Sequence, residues 1–383
     1  MSILFSRSSR LLLSFPALVV SLVPLYGASK QTAMVSAHGQ SFLGVWPHDI
    51  VVIDEEKEEV ADRIDIGTDV AMGLMLSADQ KKLYAFTPHA STLVTVDVAT
   101  HKVIDSFSLD EGNREYRLAA GAVDSDGKYL YSVVVPEVKK VDRFQQESPI
   151  IIVVDLVQHK IVRTADFPKD QDIYGLAGLY VTYAPRLSPD NKYLYIFRNN
   201  ILVFNTSDLK LIDTVELSKP VEPGMQTVAL NLVDHPYARP GTVQSLFVSA
   251  DPYVHRPVFG IATVDLATRN IEFRPVGPYT SPMMSLWVTP DGSTGYTVSF
   301  SGPPGNKRSE FWVFDMKTNQ LVRKAEFAGR RRFDMALSPS GKALYIYVAG
   351  YTVECYDPQT LKLTKTIDLE ADSTSNMVMA PGT

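Results

Sequence analysis

Short apolar runs that end in an acid or an amide recur along the chain. They read IVVID (ending at Asp54), VTVD (Asp97), IVVD (Asp155), LVFN (Asn205), ATVD (Asp265), WVFD (Asp315) and ECYD (Asp357). Successive copies lie 43, 58, 50, 60, 50 and 42 residues apart. Most are followed by a Thr-x-Lys-like turn and a second apolar run, as in ATHKVIDSF (99–107), TRNIEF (268–273) and TNQLVRKAEF (318–327). Upstream of most stands a polar turn leading into an aromatic run: SADQKKLYAF (77–86), DSDGKYLYSV (124–133), SPDNKYLYIF (188–197), SPSGKALYIY (338–347) and, more weakly, TPDGSTGYTV (289–298). Asp-Gly, Asp-Asn and Ser-Gly pairs supply tight-turn chemistry between strands. The β-branched and aromatic runs are too short for helices, and no 3.6-residue period is sustained.

Each repeat therefore offers about four short strands, and a period of 40 to 60 residues matches a β-propeller blade. A lone four-stranded sheet cannot bury both faces, so the blades must stack around an axis. The pattern predicts an all-β chain, a seven-bladed β-propeller of four-stranded antiparallel blades. Only SFLGVW (41–46) precedes Asp54, while the chain ends in NMVMAPGT (376–383), an innermost strand with no blade behind it. Together these pieces make one blade, closing the ring with the C-terminal strand and removing the free edges. Four residues before the turns stand Gly73, Ala120, Ala184, Ser285, Asp334 and Asn376, the small or polar residues expected of strands converging on a narrow tunnel.

Residues 1–28 read as a signal peptide or an N-terminal anchor. Arg7 and Arg10 precede an apolar stretch from Leu11 to Leu25, shorter than a bilayer span, and Gly27, Ala28 and Ser29 supply small residues for cleavage. A short linker (29–40) leads to a single propeller over 41–383. The chain is thus expected to be exported, periplasmic or extracellular. Its one cysteine, Cys355, excludes an internal disulfide, a covalent c-type haem, an iron–sulfur cluster and a cysteine-based zinc site, and reads as an inert thiol. A net charge of −6 gives no support for nucleic-acid binding.

No nucleophile elbow, zinc-helix, phosphate loop or EF-hand motif is present, and no metal site is read. His101 and His159 occupy the same turn position and are expected to face solvent. Asn205-Thr206-Ser207 is a glycosylation acceptor set at a strand-to-turn junction. Candidate functional residues fall in long loops, which a propeller gathers at one face. PEVKKVDRFQQESP (136–149) carries Arg143 and Phe144; LVDHPYARPG (232–241) carries His235 and Tyr237; DPYVHRPVFG (251–260) carries Tyr253, His255 and Arg256. Trp46, His48, Arg117 and Arg331 are placed on the same face. Rigid aromatics and arginines are what interface hot spots are made of. The other reading is an enzyme of lactonase or cyclase type, with Asp334, Arg332, His235 and His255 clustered at the tunnel mouth as base and oxyanion donors.

These repeats resemble the YVTN-type propellers. DSDGKYLYSVVVP with its basic insertion (124–143), DHPYARP (234–240) and YDPQTLKLTKTIDLEADSTSNMVM (356–379) are similar, more specifically, to the β subunit of quinohemoprotein amine dehydrogenase. The resemblance implies a non-redox periplasmic subunit with no cofactor of its own. It would pack against a small quinone-bearing chain and a dihaem chain, and help wall the amine cavity. Cysteine tryptophylquinone and haem c would then reside in those partners. No catalytic residue is carried over from the family.

Overall fold

The computed structural model describes residues 38–67, 69–169, 185–197, 200–217, 228–231, 241–250, 256–303, 306–328, 333–347 and 350–382. Among these residues there is no helix. The apolar runs become strands, and the acid or amide ending each run caps the turn that follows. Asp54 Oδ1 accepts from the backbone of Glu56 and Lys57, Asp155 from Val157 and Gln158, Asp265 from Ala267 and Thr268, and Asp315 from Lys317 and Thr318. Asp97, Asn205 and Asp357 do the same for one amide each. This is the side-chain mimicry of a backbone turn that short Asp and Asn residues perform best. Four residues after each cap the chain turns left-handed, at Glu58, His101, His159, Leu209, Arg269, Asn319 and Leu361, with φ between 50° and 65°. In six sheets the outer pair then slips register just before the capping residue, the extra residue that such a turn inserts. The sequon at Asn205 is thus a turn cap, with Thr206 buried.

The first sheet holds β1 (Gln40–Val45), β2 (Asp49–Asp54) and β3 (Glu59–Asp65). The second holds β4 (Gly73–Leu76), β5 (Lys82–Thr87), β6 (Thr92–Asp97) and β7 (Lys102–Ser108). After β8 (Arg114–Tyr116), the third begins with β9 (Ala122–Val123) and β10 (Tyr129–Val134). It is interrupted by β11 (Pro136–Lys139) and β12 (Phe144–Gln146), and finishes with β13 (Ile150–Asp155) and β14 (Lys160–Asp166). The fourth is β15 (Arg186–Leu187), β16 (Tyr193–Phe197), β17 (Ile201–Asn205) and β18 (Leu211–Val215). The fifth is β19 (Val228–Asn231), β20 (Thr242–Ala250), β21 (Pro257–Asp265) and β22 (Ile271–Pro278). The sixth is β23 (Trp287–Val288), β24 (Thr294–Ser301), β25 (Arg308–Asp315) and β26 (Gln320–Phe327). The seventh is β27 (Asp334–Leu337), β28 (Leu344–Tyr347), β29 (Thr352–Tyr356) and β30 (Leu363–Asp368). The last strand, β31 (Ser373–Ala380), returns to pair antiparallel with β1, so that seven sheets of the described residues have four strands. An eighth, three-stranded sheet has the order β12-β11-β8.

The two middle strands of a sheet are buried nearly throughout, as in β2 and β13, where five of six residues are enclosed. Both of their faces meet neighbouring sheets, which is why these runs read as continuously apolar rather than alternating. Clusters such as Leu246, Phe259, Ile261, Leu286, Trp312 and Phe314 fill the space between the fifth and sixth sheets. At about 25 cal/mol per Å² of apolar surface removed from water, such interfaces are the main source of cohesion.

Polar rungs tie six of the seven outer strands to the next sheet, eight residues after the capping position; the fifth sheet has Phe273 there. Asp62 bonds His101, Asp105 bonds His159, Arg163 reaches the carbonyls of Thr206 and Ser207, and Asp213 pairs with Arg269. Arg323 reaches the carbonyls of Pro358 and Gln359, and Lys365 of the seventh sheet donates to the Lys57 carbonyl of the first at 2.7 Å. The expectation that these two turn histidines face solvent holds for His159, which is exposed, and is corrected for His101. The His101 side chain is mostly buried, edge-on to Phe42, and also bonds Gln40; His159 stacks flat on Phe107. Their left-handed turns aim both rings at an acid of the preceding sheet, and only the His101 ring is enclosed there.

Candidate functional site

Two sets of connections separate at opposite ends of the sheets. One end gathers the loops between second and third strands with those running from a fourth strand to the next first strand. Hydrogen bonds join the two kinds there: Ile66 N to His48 O, Leu109 N to Ser91 O, Phe167 N to Pro149 O, Tyr279 N to Pro257 O and Trp46 N to Asp372 O. Of the residues expected on this end, Trp46, His48, Arg117, Arg143, Phe144 and Arg256 are described and lie on such loops. Tyr237, Tyr253, His235, His255, Arg331 and Arg332 lie outside the described residues. The segments carrying His235 and His255 are anchored at Gly241 and Pro257, and β20 and its partner β21 place those anchors at opposite ends of the fifth sheet.

The basic insertion is not a bare loop. β11 and β12 form a hairpin, and β8, drawn from the linker that follows the second sheet, adds a third strand. Arg114 bonds Glu147 at 2.6 Å and the Tyr116 hydroxyl at 3.0 Å, and that hydroxyl donates to Glu111. Glu137, almost fully enclosed, takes Arg117 at 2.7 Å and the Gln146 amide at 2.9 Å. Arg117 is therefore an anchor of this sheet rather than a free contact residue. Arg143 pairs with its neighbour Asp142, both exposed. At the tip, Val141 is fully exposed and Phe144 is 53 % exposed, held on a hydrogen-bonded frame that includes Lys140 N to Arg143 O at 2.8 Å.

Trp46, 61 % exposed, tops the β1–β2 hairpin, and His48 beside it meets two carboxylates. Its Nδ1 lies 2.9 Å from Asp65 Oδ1 and 3.6 Å from Asp49 Oδ1. On the adjoining loops His89 Nδ1 stands 3.3 Å from Asp69 Oδ2.

Of the residues expected to form a reaction centre, Asp334 alone is described. It opens β27, opposite Tyr347 of β28, and accepts from Met335 N at 2.8 Å. Burial pushes its carboxyl above the usual carboxylate range. The inner strands are crowded as expected: a Cβ on Gly73 would sit 2.6 Å from the Ala119 carbonyl oxygen, and the Asn376 side chain bonds both N and O of Leu74. Cys355 is enclosed, and its thiol is pushed up to about 12 by burial, as an inert thiol requires.

A cavity of about 480 Å³ lies at the other end, between the fifth and sixth sheets. Its lining includes Glu272, Arg274, Asp291, Lys317 and Asn319, and Arg274 is held by Glu272 at 2.8 Å. Sequence patterning gave no signal for it, because strand residues of the fifth repeat wall one side and mostly turn residues of the sixth wall the other. The anchoring role of Glu137 had a faint signal, a single acid inside the apolar run VVVPEV.

No family model and no curated protein matches this sequence. Solved structures do share its architecture. A functionally unknown protein from Desulfotomaculum acetoxidans is similar over 90 % of this chain and 100 % of its own, with a TM-score of 0.57 and 14 % identity. The dihydro-heme d1 dehydrogenase NirN is similar over 90 % of this chain and 75 % of its own (TM-score 0.53, 11 % identity). Apo AztD from Citrobacter koseri is similar over 90 % and 99 % (TM-score 0.52, 12 % identity). At such identities the likeness establishes a β-propeller fold and nothing about activity.

Proposed function

We propose that this chain is an exported, non-redox, seven-bladed propeller over residues 41–383 that acts as a protein-binding scaffold or subunit. The seven sheets are its blades, and β31 is the clasp. The six rungs, which run from Asp62–His101 to Lys365–Lys57 with a gap between the fifth and sixth sheets, support a closed ring, because the last returns to the first sheet. The observation that carries the functional reading is the three-stranded sheet on the loop-bearing end. A frame of partly exposed ion pairs, one of them on the enclosed Glu137, holds an exposed Val141–Phe144 tip, a rigid apolar anchor without a covering element among the described residues. Preorganised apolar tips lose little entropy on docking, the condition for a hot spot.

The resemblance to the β subunit of quinohemoprotein amine dehydrogenase makes a quinone-bearing chain and a haem-bearing chain the partners to test first. Any quinone or haem c would belong to them, and primary-amine oxidation would occur in the partner. The full chain, recovered from its native source under mild conditions, should bring down a haem-absorbing partner, and Val141→Asp with Phe144→Ser should release it. Recovery of a bare monomer, or retention of the partner by the double variant, refutes the reading. For a lactonase or cyclase centre, Asp334 is the one candidate residue that is described, and turnover of a lactone panel abolished by Asp334→Ala would establish it.

A further inference from the structure

We infer that His48, Asp49 and Asp65 form a binding site for a divalent transition-metal ion such as Zn²⁺. The sequence offered no such site, because Asp65 lies 17 residues from His48 and only strand pairing unites them. Asp49 and Asp65 are directly opposed partners of the β2–β3 ladder. Two carboxylates facing one another across a ladder repel, and a cation between them removes that penalty. The ion pairs that these two carboxylates make in the described residues are with His48 alone. The donor atoms of all three side chains lie within 4.8 Å of one another.

The distances fit a shared ion better than a hydrogen bond. His48 Nδ1 is buried and makes no hydrogen bond, although Asp65 Oδ1 is only 2.9 Å away. At that separation the failure is directional: the oxygen lies off the line of the ring N–H. With donor bonds of about 2.05 Å, donors 2.9 and 3.6 Å apart subtend about 90° and 123° at a common metal, on either side of the tetrahedral angle. An oxygen at the 90° position stands about 45° off the nitrogen lone pair, too far for a good hydrogen bond and right for a second ligand on the same ion. One imidazole and two carboxylates give a neutral site with a divalent ion. Zn²⁺ and its neighbours accept this N,O,O set, and the half-exposed position leaves room for water or an incoming ligand.

The frame of the site rests mainly on backbone bonds; the one side-chain bond in it, Gly67 N to Asp65 Oδ1 at 2.7 Å, is one that an asparagine oxygen can also accept. The His48 backbone carbonyl accepts from Ile66, and Asp49 is held in the ladder by Val45 and Asp65. Substitution should therefore spare the fold. The test uses the full chain without a polyhistidine tag, stripped with EDTA and desalted, then titrated with Zn²⁺ by calorimetry and with Co²⁺ by visible absorption. One ion per chain is expected, with a Co²⁺ ligand-field band of four- or five-coordinate intensity. His48→Ala and Asp65→Asn should each weaken Zn²⁺ binding at least tenfold, with unchanged thermal unfolding of the stripped protein. His89→Ala should bind as wild type does. Binding that survives His48→Ala, or falls with His89→Ala instead, overturns the assignment, as does a stoichiometry well below one.

Discussion

Two tyrosines offer a matched test of what a buried hydroxyl contributes. Tyr347 is enclosed in β28, and its Oη accepts from Met377 N, 2.9 Å away, on the clasp strand β31. Tyr84 is enclosed to the same degree in β5, but its hydroxyl is buried with no partner. Burial drives both phenols up, Tyr84 to about 12 and Tyr347 well above the ordinary value. Replacing each by Phe deletes one oxygen and leaves the ring packing intact. In Tyr347→Phe the Met377 amide becomes a buried donor without an acceptor, a loss of about 1–3 kcal/mol. In Tyr84→Phe a desolvated hydroxyl disappears, so stability should hold or rise by up to about 1 kcal/mol. Guanidinium unfolding of both variants at equal m-value reads the difference directly. The same contrast should appear in hydrogen exchange, with the Met377 amide losing protection only in Tyr347→Phe. Equal shifts in both variants, or a larger loss for Tyr84→Phe, would refute the argument that the clasp is held by this bond.

Asp79, Asp190, Asp265, Asp291, Asp315 and Asp357 all sit below the usual carboxylate range, led by hydrogen bonds from turn amides or hydroxyls, with Asp190 at about 2. A lowered folded-state value contributes stability above the unfolded value that is lost as pH falls through the folded one, so melting temperature should drop between about pH 4 and 2, less steeply in Asp190→Asn. Asp334 has the opposite sign: its raised value opposes folding at neutral pH, so Asp334→Asn should raise the melting temperature at pH 7 and converge with wild type on acidification. Cys355 should resist a thiol reagent such as dithionitrobenzoate in the folded protein and react fully once unfolded; rapid labelling of native protein would contradict its enclosure.

The repeat was legible in the sequence because it is written in local chemistry. An acid at Asp97 or Asp265 closes its own turn within three residues, and the Ser188 and Ser338 hydroxyls close the turns that lead into the aromatic strands. The pairing of 373–380 with 40–45 was legible from the repeat itself, since an incomplete first sheet and a spare last strand are both visible along the chain. What only the tertiary structure decided depends on which strands lie side by side. It drew Arg114–Tyr116 from a linker into the added sheet, and turned His101 and His159 toward the acids of a preceding sheet. It also brought Asp65 opposite Asp49 under His48. Strand spacing of about 4.8 Å and the register of a ladder set those meetings, and neither quantity leaves a trace in the order of residues between the partners.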